Sequence, residues 1–178
     1  MLSQDLTEGC KRGELKAQEE LYKNYFDTMM NLSVRYTKNE QDAMEVVNNG
    51  FLKVFKSIHQ YQEEKGSLYT WIRKIIINSC LDFIKQKSRL IVHEELTKEA
   101  EVHIDAEVIA NMKVVDLLNL VRQLPVTSRL VFNLIMDGYN HKEIAQLTGI
   151  SEGASRWHLS EARKKLKQTI NLQEVKHE

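Results

Sequence analysis

A chain of 178 residues accommodates one large domain or two small ones, and 42% apolar residues supply enough core for either, which excludes bulk disorder. One proline and seven glycines leave too little punctuation for a hairpin-rich β protein, and two cysteines, Cys10 and Cys80, exclude a disulfide framework or a cysteine-based zinc site. The net charge is zero, no leader-like basic-then-apolar start is present, and the longest apolar run, Ile75-Ile76-Ile77, is far short of a bilayer span, so a soluble cytoplasmic helical protein is expected.

From Leu6 to Lys38 the apolar residues Leu15, Leu21, Tyr22, Tyr25, Phe26, Met29, Leu32 and Tyr36 recur at spacings of three and four, which predicts a helix with one buried stripe. Asn39 to Asp42 is a polar break, and Asp42 is expected near the start of a second helix carrying Ala43, Val46, Val47, Phe51, Val54, Phe55 and Ile58. Gly50 sits inside that helix at a cost of ~1 kcal/mol relative to alanine. Gln60 to Gly66 reads as a loop. Ser67 is placed to cap a third helix, Leu68 to about Ser88, with Trp71, Ile72, Ile75, Ile76, Cys80 and Phe83 or Ile84 inward.

Ile91 to Asn111 has no strong apolar stripe beyond its last residues and is predicted to be an acidic linker. Helical pattern resumes over Met112 to Gln123, stops at Pro125, runs again from Thr127 to Asp137 and closes at Gly138. Two short helices follow, His141 to Thr148 and Glu152 to about Thr169. The predicted fold is therefore all-α, with two helical domains, 1–90 and 112–178, joined by an acidic linker, 91–111.

Zero net charge hides a segregated distribution. Trp71 to Leu90 carries five cations against one acid, Ile91 to Asn111 six acids against one cation, and His141 to Gln168 six cations against three acids. The last basic segment also has helix-turn-helix grammar: a short helix, Gly149 for the turn, Ser151 as cap and Glu152 in the first turn of the next helix. On that second helix Ser155, Leu159, Ala162 and Leu166 share one face. Glu152, Gly153, Arg156, Trp157, Ser160, Arg163 and Lys164 share the other. Small residues at its entry and cations farther along suit insertion into a DNA groove with phosphates at the rim. The competing reading is a solvated basic αα-hairpin. Trp157 is open between groove contact and packing, and His158 reads as a polar surface residue.

These motifs together resemble the extracytoplasmic-function group of bacterial RNA polymerase sigma factors, in the sigma-70 family. The C-terminal run LVRQLPVTSRLVFNLIMDGYNHKEIAQLTGISEGASRWHLSEARKKL is similar to the family's sigma-4 domain. Asp42-Ala43, Val46-Val47 and Phe51 to Phe55 are similar to its polymerase-binding helix, and Thr70-Trp71-Ile72-Arg73 with Asn78 and Asp82 to its −10 helix in the sigma-2 domain. The resemblance implies a transcription initiation factor with core RNA polymerase, promoter DNA and an anti-sigma factor as partners, and with no cofactor and no catalytic chemistry of its own.

Residue by residue, the resemblance places −35 recognition on Ser151, Glu152, Gly153, Arg156, Trp157, Ser160, Arg163 and Lys164. Contact with the melted −10 strand falls on Lys65, Ser67, Tyr69, Arg73, Lys74 and Asn78. Core polymerase binding falls on Asp42, Glu45, Asn48, Asn49, Leu52 and Lys53. The chain departs from the family pattern at Asn48-Asn49, where Gln-Glu is common, at Ala154-Ser155, where Thr-Val is common, and at the acidic Glu161.

Independently of the resemblance, the loop Glu63 to Tyr69 beside the cations of Trp71 to Arg89 suits a base pocket next to a phosphate track, or else is a plain interhelical loop. The alternative function is a one-component helix-turn-helix regulator with an N-terminal sensor domain, which gives no reason for the basic helix beginning at Trp71. An enzyme is disfavoured: His93, Glu94, Glu95 and His103 match no standard metal-ligand spacing.

Overall fold

The computed structural model describes residues 2–94 and 114–174, with side-chain surroundings over 5–87 and 118–169. Residues 95–111 of the predicted linker and the side chains of His93, Glu94, Glu95 and His103 therefore lie outside the described residues, whereas 91–94 continue the helix that was expected to end near Ser88. All regular elements among the described residues are helical, and the chain divides into two compact units, Met1–Ile91 and Val92–Glu178.

The first unit holds α1 (Leu2–Lys11), α2 (Leu15–Ser33), α3 (Glu40–Ser57), two 3-10 turns (Ile58–Gln60 and Glu63–Lys65) and α4 (Leu68–Glu94). The single helix expected over Leu6 to Lys38 is two. Gly13 takes φ +77°, a left-handed conformation that glycine adopts without penalty, and the chain turns there. Gly9 then lets α1 lie close on α2: a Cβ at that position would come within 2.8 Å of the Ala17 Cβ.

Helix α3 starts at the expected polar break, with Asp42 in its first turn; Asn39 caps it, accepting a 2.7 Å hydrogen bond from the Asp42 N–H. This leaves the Asp42 carboxylate for Lys87 on α4, whose ammonium donates to both of its oxygens at 2.7 and 2.8 Å. Asp42 is a buried residue, and its ion pair fastens the start of α3 to the far part of α4.

Leu21, Met29, Tyr36, Val46, Val47, Phe51, Val54, Ile72, Ile76, Ile77 and Cys80 are all essentially inaccessible and form the core of this unit. Trp71 and Ile75, expected inward, are half-buried at the flank, and Trp71 packs on Tyr61 at 5.7 Å between ring centroids. Ile77 and Leu81 are buried instead, because α4 is rotated slightly from the expected phase. Gly50 has a packing reason. A Cβ there would collide with Ile76 Cδ1, so the missing side chain is what admits α4 against α3.

The second unit holds α5 (Val114–Arg122), α6 (Val126–Met136), α7 (His141–Thr148) and α8 (Glu152–Glu174). Leu120, Val121 and Leu124 meet Ala162 and Leu166 of α8, with Phe132 packed on them. Arg129 is buried, and its guanidinium donates to the Arg122 carbonyl at 2.9 Å, satisfying an acceptor at the end of α5. Burial, with Arg122 adding to it, lowers the Arg129 pKa from its ordinary value.

Candidate nucleic-acid and polymerase interfaces

In the second unit the sequence specifies the turn residue by residue. Asn140 and Glu143 form a reciprocal capping box on α7, with bonds of 2.9 and 2.8 Å. Gly149 ends α7 in the left-handed conformation at φ 82°, its N–H donating to Ala145 O at 2.9 Å. Ser151 then starts α8 by accepting from the Ala154 N–H at 3.1 Å.

The face of α8 turned inward is the expected one: Ser155 and Ala162 are fully buried, Leu159 and Leu166 nearly so. Two histidines fix the helix further. His141 on α7 makes a 2.8 Å hydrogen bond with the Ser155 hydroxyl, and His158 on α8 makes a 3.0 Å hydrogen bond with the Ser128 hydroxyl on α6. His158 is therefore not the plain surface residue that its polarity suggested. No signal in the sequence links positions 128 and 158; the helix packing brings them together.

Outward from α8 stand Gly153, Arg156, Trp157, Ser160, Arg163 and Lys164, all exposed. Glu152 holds the Arg156 guanidinium at 3.1 Å, one turn along. Both ends of that pair are well exposed, so it orients Arg156 more than it stabilises the helix. The result is a rigid helix presenting a cationic, solvent-facing surface with an indole at its centre.

In the first unit the −10 candidates gather where the 3-10 turns meet α4. Ser67 caps α4, accepting from the Thr70 N–H at 3.2 Å, and Tyr61 donates to the Gly66 carbonyl at 3.2 Å, closing the loop on itself. Tyr69 is exposed and stacks on Tyr25 at 6.5 Å. Burial raises the pKa of the Tyr25 phenol, and burial with Glu63 raises that of Tyr61, so both are neutral donors at neutral pH. Lys65 and Lys74 are exposed, while Arg73 and Asn78 are half-buried.

The surroundings are less cationic than the sequence count implied. Lys87 is committed to Asp42, lying 4.8 Å from the centre of the Phe83 ring, and Lys53 on α3 pairs with Asp82 at 2.8 Å. On the other side of the loop, Asp5, Glu8, Glu63 and Glu64 line an open groove of about 520 Å³ together with Lys11 and Tyr61. Spacing in the sequence gave no hint that α1 brings two acids to this loop.

The polymerase candidates lie along the solvent face of α3. Glu45, Asn48, Asn49, Leu52 and Lys53 are exposed, and Leu52 is 57% exposed, unusual for leucine. Asp42 stands apart from them, buried in its ion pair. Asn48 accepts a 2.9 Å hydrogen bond from the Tyr22 hydroxyl. Beside this face, Val46, Asn49, Leu52, Ser79, Asp82 and Phe83 help to line a shallow groove between α3 and α4. The Ser79 hydroxyl, buried at the floor of this groove, has no hydrogen-bond partner among the described residues.

Residues 21–90 match the family model for sigma-70 region 2, and residues 115–166 match that for sigma-70 region 4. Together the two matches span more than half of the chain, in the order found in one protein family. The chain belongs to the sigma-70 family of RNA polymerase sigma factors. It is similar to the ECF RNA polymerase sigma-E factor of Haemophilus influenzae, with 23% identity over 96% of each chain. The fold is similar to that of the sigma factor RpoE of Bartonella quintana, solved with the anti-sigma factor NepR, at TM-score 0.57 and 15% identity over 88% of this chain and 98% of that one. It is also similar to CnrH, solved with the cytosolic domain of CnrY, at TM-score 0.51 and 18% identity over 93% and 95%. This sigma factor is thus a transcription initiation factor that directs RNA polymerase to promoters. No helix among the described residues is long and apolar enough to cross a membrane.

Proposed function

We propose that this sigma factor divides its work among three faces. The exposed face of α3, Glu45, Asn48, Asn49, Leu52 and Lys53, docks on core RNA polymerase. The α3–α4 groove supports this reading, because an approaching polar side chain would satisfy the buried Ser79 hydroxyl. Lys65, Ser67, Tyr69, Arg73, Lys74 and Asn78 contact the −10 element as it opens. Tyr69 offers the exposed ring on which an unstacked base can rest.

The outward face of α8, from Ser151 to Lys164, reads the −35 element in the major groove. The observation that carries the reading is this helix itself: capped, bolted at Ser155 and His158, and cationic only on the side away from the core. Phosphate contacts fall to Arg163 and Lys164 and base contacts to the first two turns. An anti-sigma factor, as in the RpoE–NepR complex, is the proposed regulator, and the cytoplasm is the proposed site of action.

Run-off transcription from a genomic promoter library, with purified core polymerase and with or without this protein, tests the proposal. Transcripts that appear only when it is present are expected, sharing two upstream sequence elements. Retained duplex binding with no new transcript would instead favour a one-component regulator.

A further inference from the structure

Trp157 is 59% exposed, at the sixth position of α8. An indole is rarely left in water without a use. At about 100° per residue it points almost directly away from the buried stripe of Ser155, Leu159, Ala162 and Leu166. Its neighbours on that face leave it room. Gly153, one turn before, has no side chain, and even an added Cβ would meet nothing closer than the Ser151 hydroxyl at 3.9 Å. Ser160, three residues on, is small and exposed. Arg163 and Lys164 follow six and seven residues later, about 10 Å along the axis, comparable to the ~12 Å width of a major groove. When those cations meet phosphates at the rim, the indole lies among the bases.

The ring is also held. It meets His158 edge-on, with centroids 4.8 Å apart and planes at 73°, and His158 is hydrogen-bonded at 3.0 Å to Ser128, a buried residue of α6. A chain of contacts thus runs from the domain core to the exposed indole. Such pre-organisation has no role for a ring that only meets solvent; it lowers the entropic cost of binding in one orientation.

Chemistry selects the ligand feature. An indole has broad apolar faces and one N–H donor, with no acceptor. It cannot match the paired acceptors of guanine as an arginine does, nor the donor–acceptor pair of adenine. The apolar feature of a base edge in the major groove is the C5-methyl of thymine.

We propose that Trp157 reads the C5-methyl of one thymine in the −35 element, and that His158, anchored by Ser128, is the positioning residue for the indole. The proposal rests on α8 facing the −35 element.

The test uses the full chain assembled with core polymerase on −35 duplexes obtained by selection from a random library. Each thymine is replaced singly by deoxyuracil, which removes only the methyl group. Wild type is expected to lose about fourfold in affinity at one position, the worth of one buried methyl, and Trp157→Ala to lose nothing there. His158→Ala is expected to bring the thymine-over-uracil ratio at that position toward one, a ratio that a uniform loss of affinity from a looser α8 would not move. Both variants alter half-exposed or exposed residues, and a circular dichroism melt confirms that they fold. If no thymine shows a methyl effect in wild type, or if Trp157→Ala keeps it, the proposal is overturned. Arg163→Gln with Lys164→Gln separates the two readings. Uniform weakening on every duplex with no methyl effect removes Trp157 alone; no weakening on any duplex removes the assignment of α8 to DNA, and the proposal with it.

Discussion

Gly50 and Gly153 both lie inside helices, and a propensity scale treats them alike. Their surroundings do not. A Cβ at Gly50 enters the space of Ile76, which is fully buried, whereas a Cβ at Gly153 meets open space beyond Ser151. Gly50→Ala is therefore expected to lower stability by about 1 kcal/mol, overpacking outweighing the gain in helix propensity. Gly153→Ala should raise it by up to ~1 kcal/mol. Denaturant titration followed through Trp71 and Trp157, one in each unit, reads both signs. Asp42 teaches the same lesson. Its type and position suggested a role at a helix start, and as a polymerase contact, but only the approach of Lys87 from a site 45 residues away gives its carboxylate a partner.

At the level of elements, the C-terminal helix pair was legible because its punctuation is local. Asn140, Glu143, Gly149 and Ser151 act on backbone groups within four residues of themselves, so their spacing alone announces the turn. Gly149→Ala forces a side chain into the left-handed region at a cost of about 1–2 kcal/mol. It should lower the melting temperature and weaken −35 duplex binding together, since the turn sets the angle of α8. Helix α3 differs in kind, because its function lies in what it leaves uncovered. Leu52→Glu is expected to abolish co-purification with core polymerase with no shift in the melting curve, because Leu52 is 57% exposed and supports no core. The break at Gly13 was missed because every residue of the expected stripe lies after it, and Leu15, counted as the first of them, is 81% exposed at the start of α2. Periodicity after a turn carries no information about where the preceding helix ended.

At the scale of the whole molecule, the zero net charge describes neither unit. Replacing Arg163 and Lys164 by glutamine should reduce the slope of log affinity against log salt by about two on every duplex, as expected for two lost phosphate contacts. Fluorescence anisotropy across a salt series measures it. The cations of α4 do not sum so simply, because Lys87 is internally paired and Asp5 and Glu8 arrive beside the −10 loop from α1. The sequence by itself determined the helical class, the helix-turn-helix, the buried stripe of α8 and the family, because caps, turns and 3.6-residue periodicity are local properties of a chain. Only the tertiary structure decided which charges remain available to a partner, why Gly50 has no side chain, and that Ser128 steadies His158 beneath Trp157. Each of these depends on residues 26 to 45 or more positions apart meeting across packed helices, and no local rule encodes that meeting.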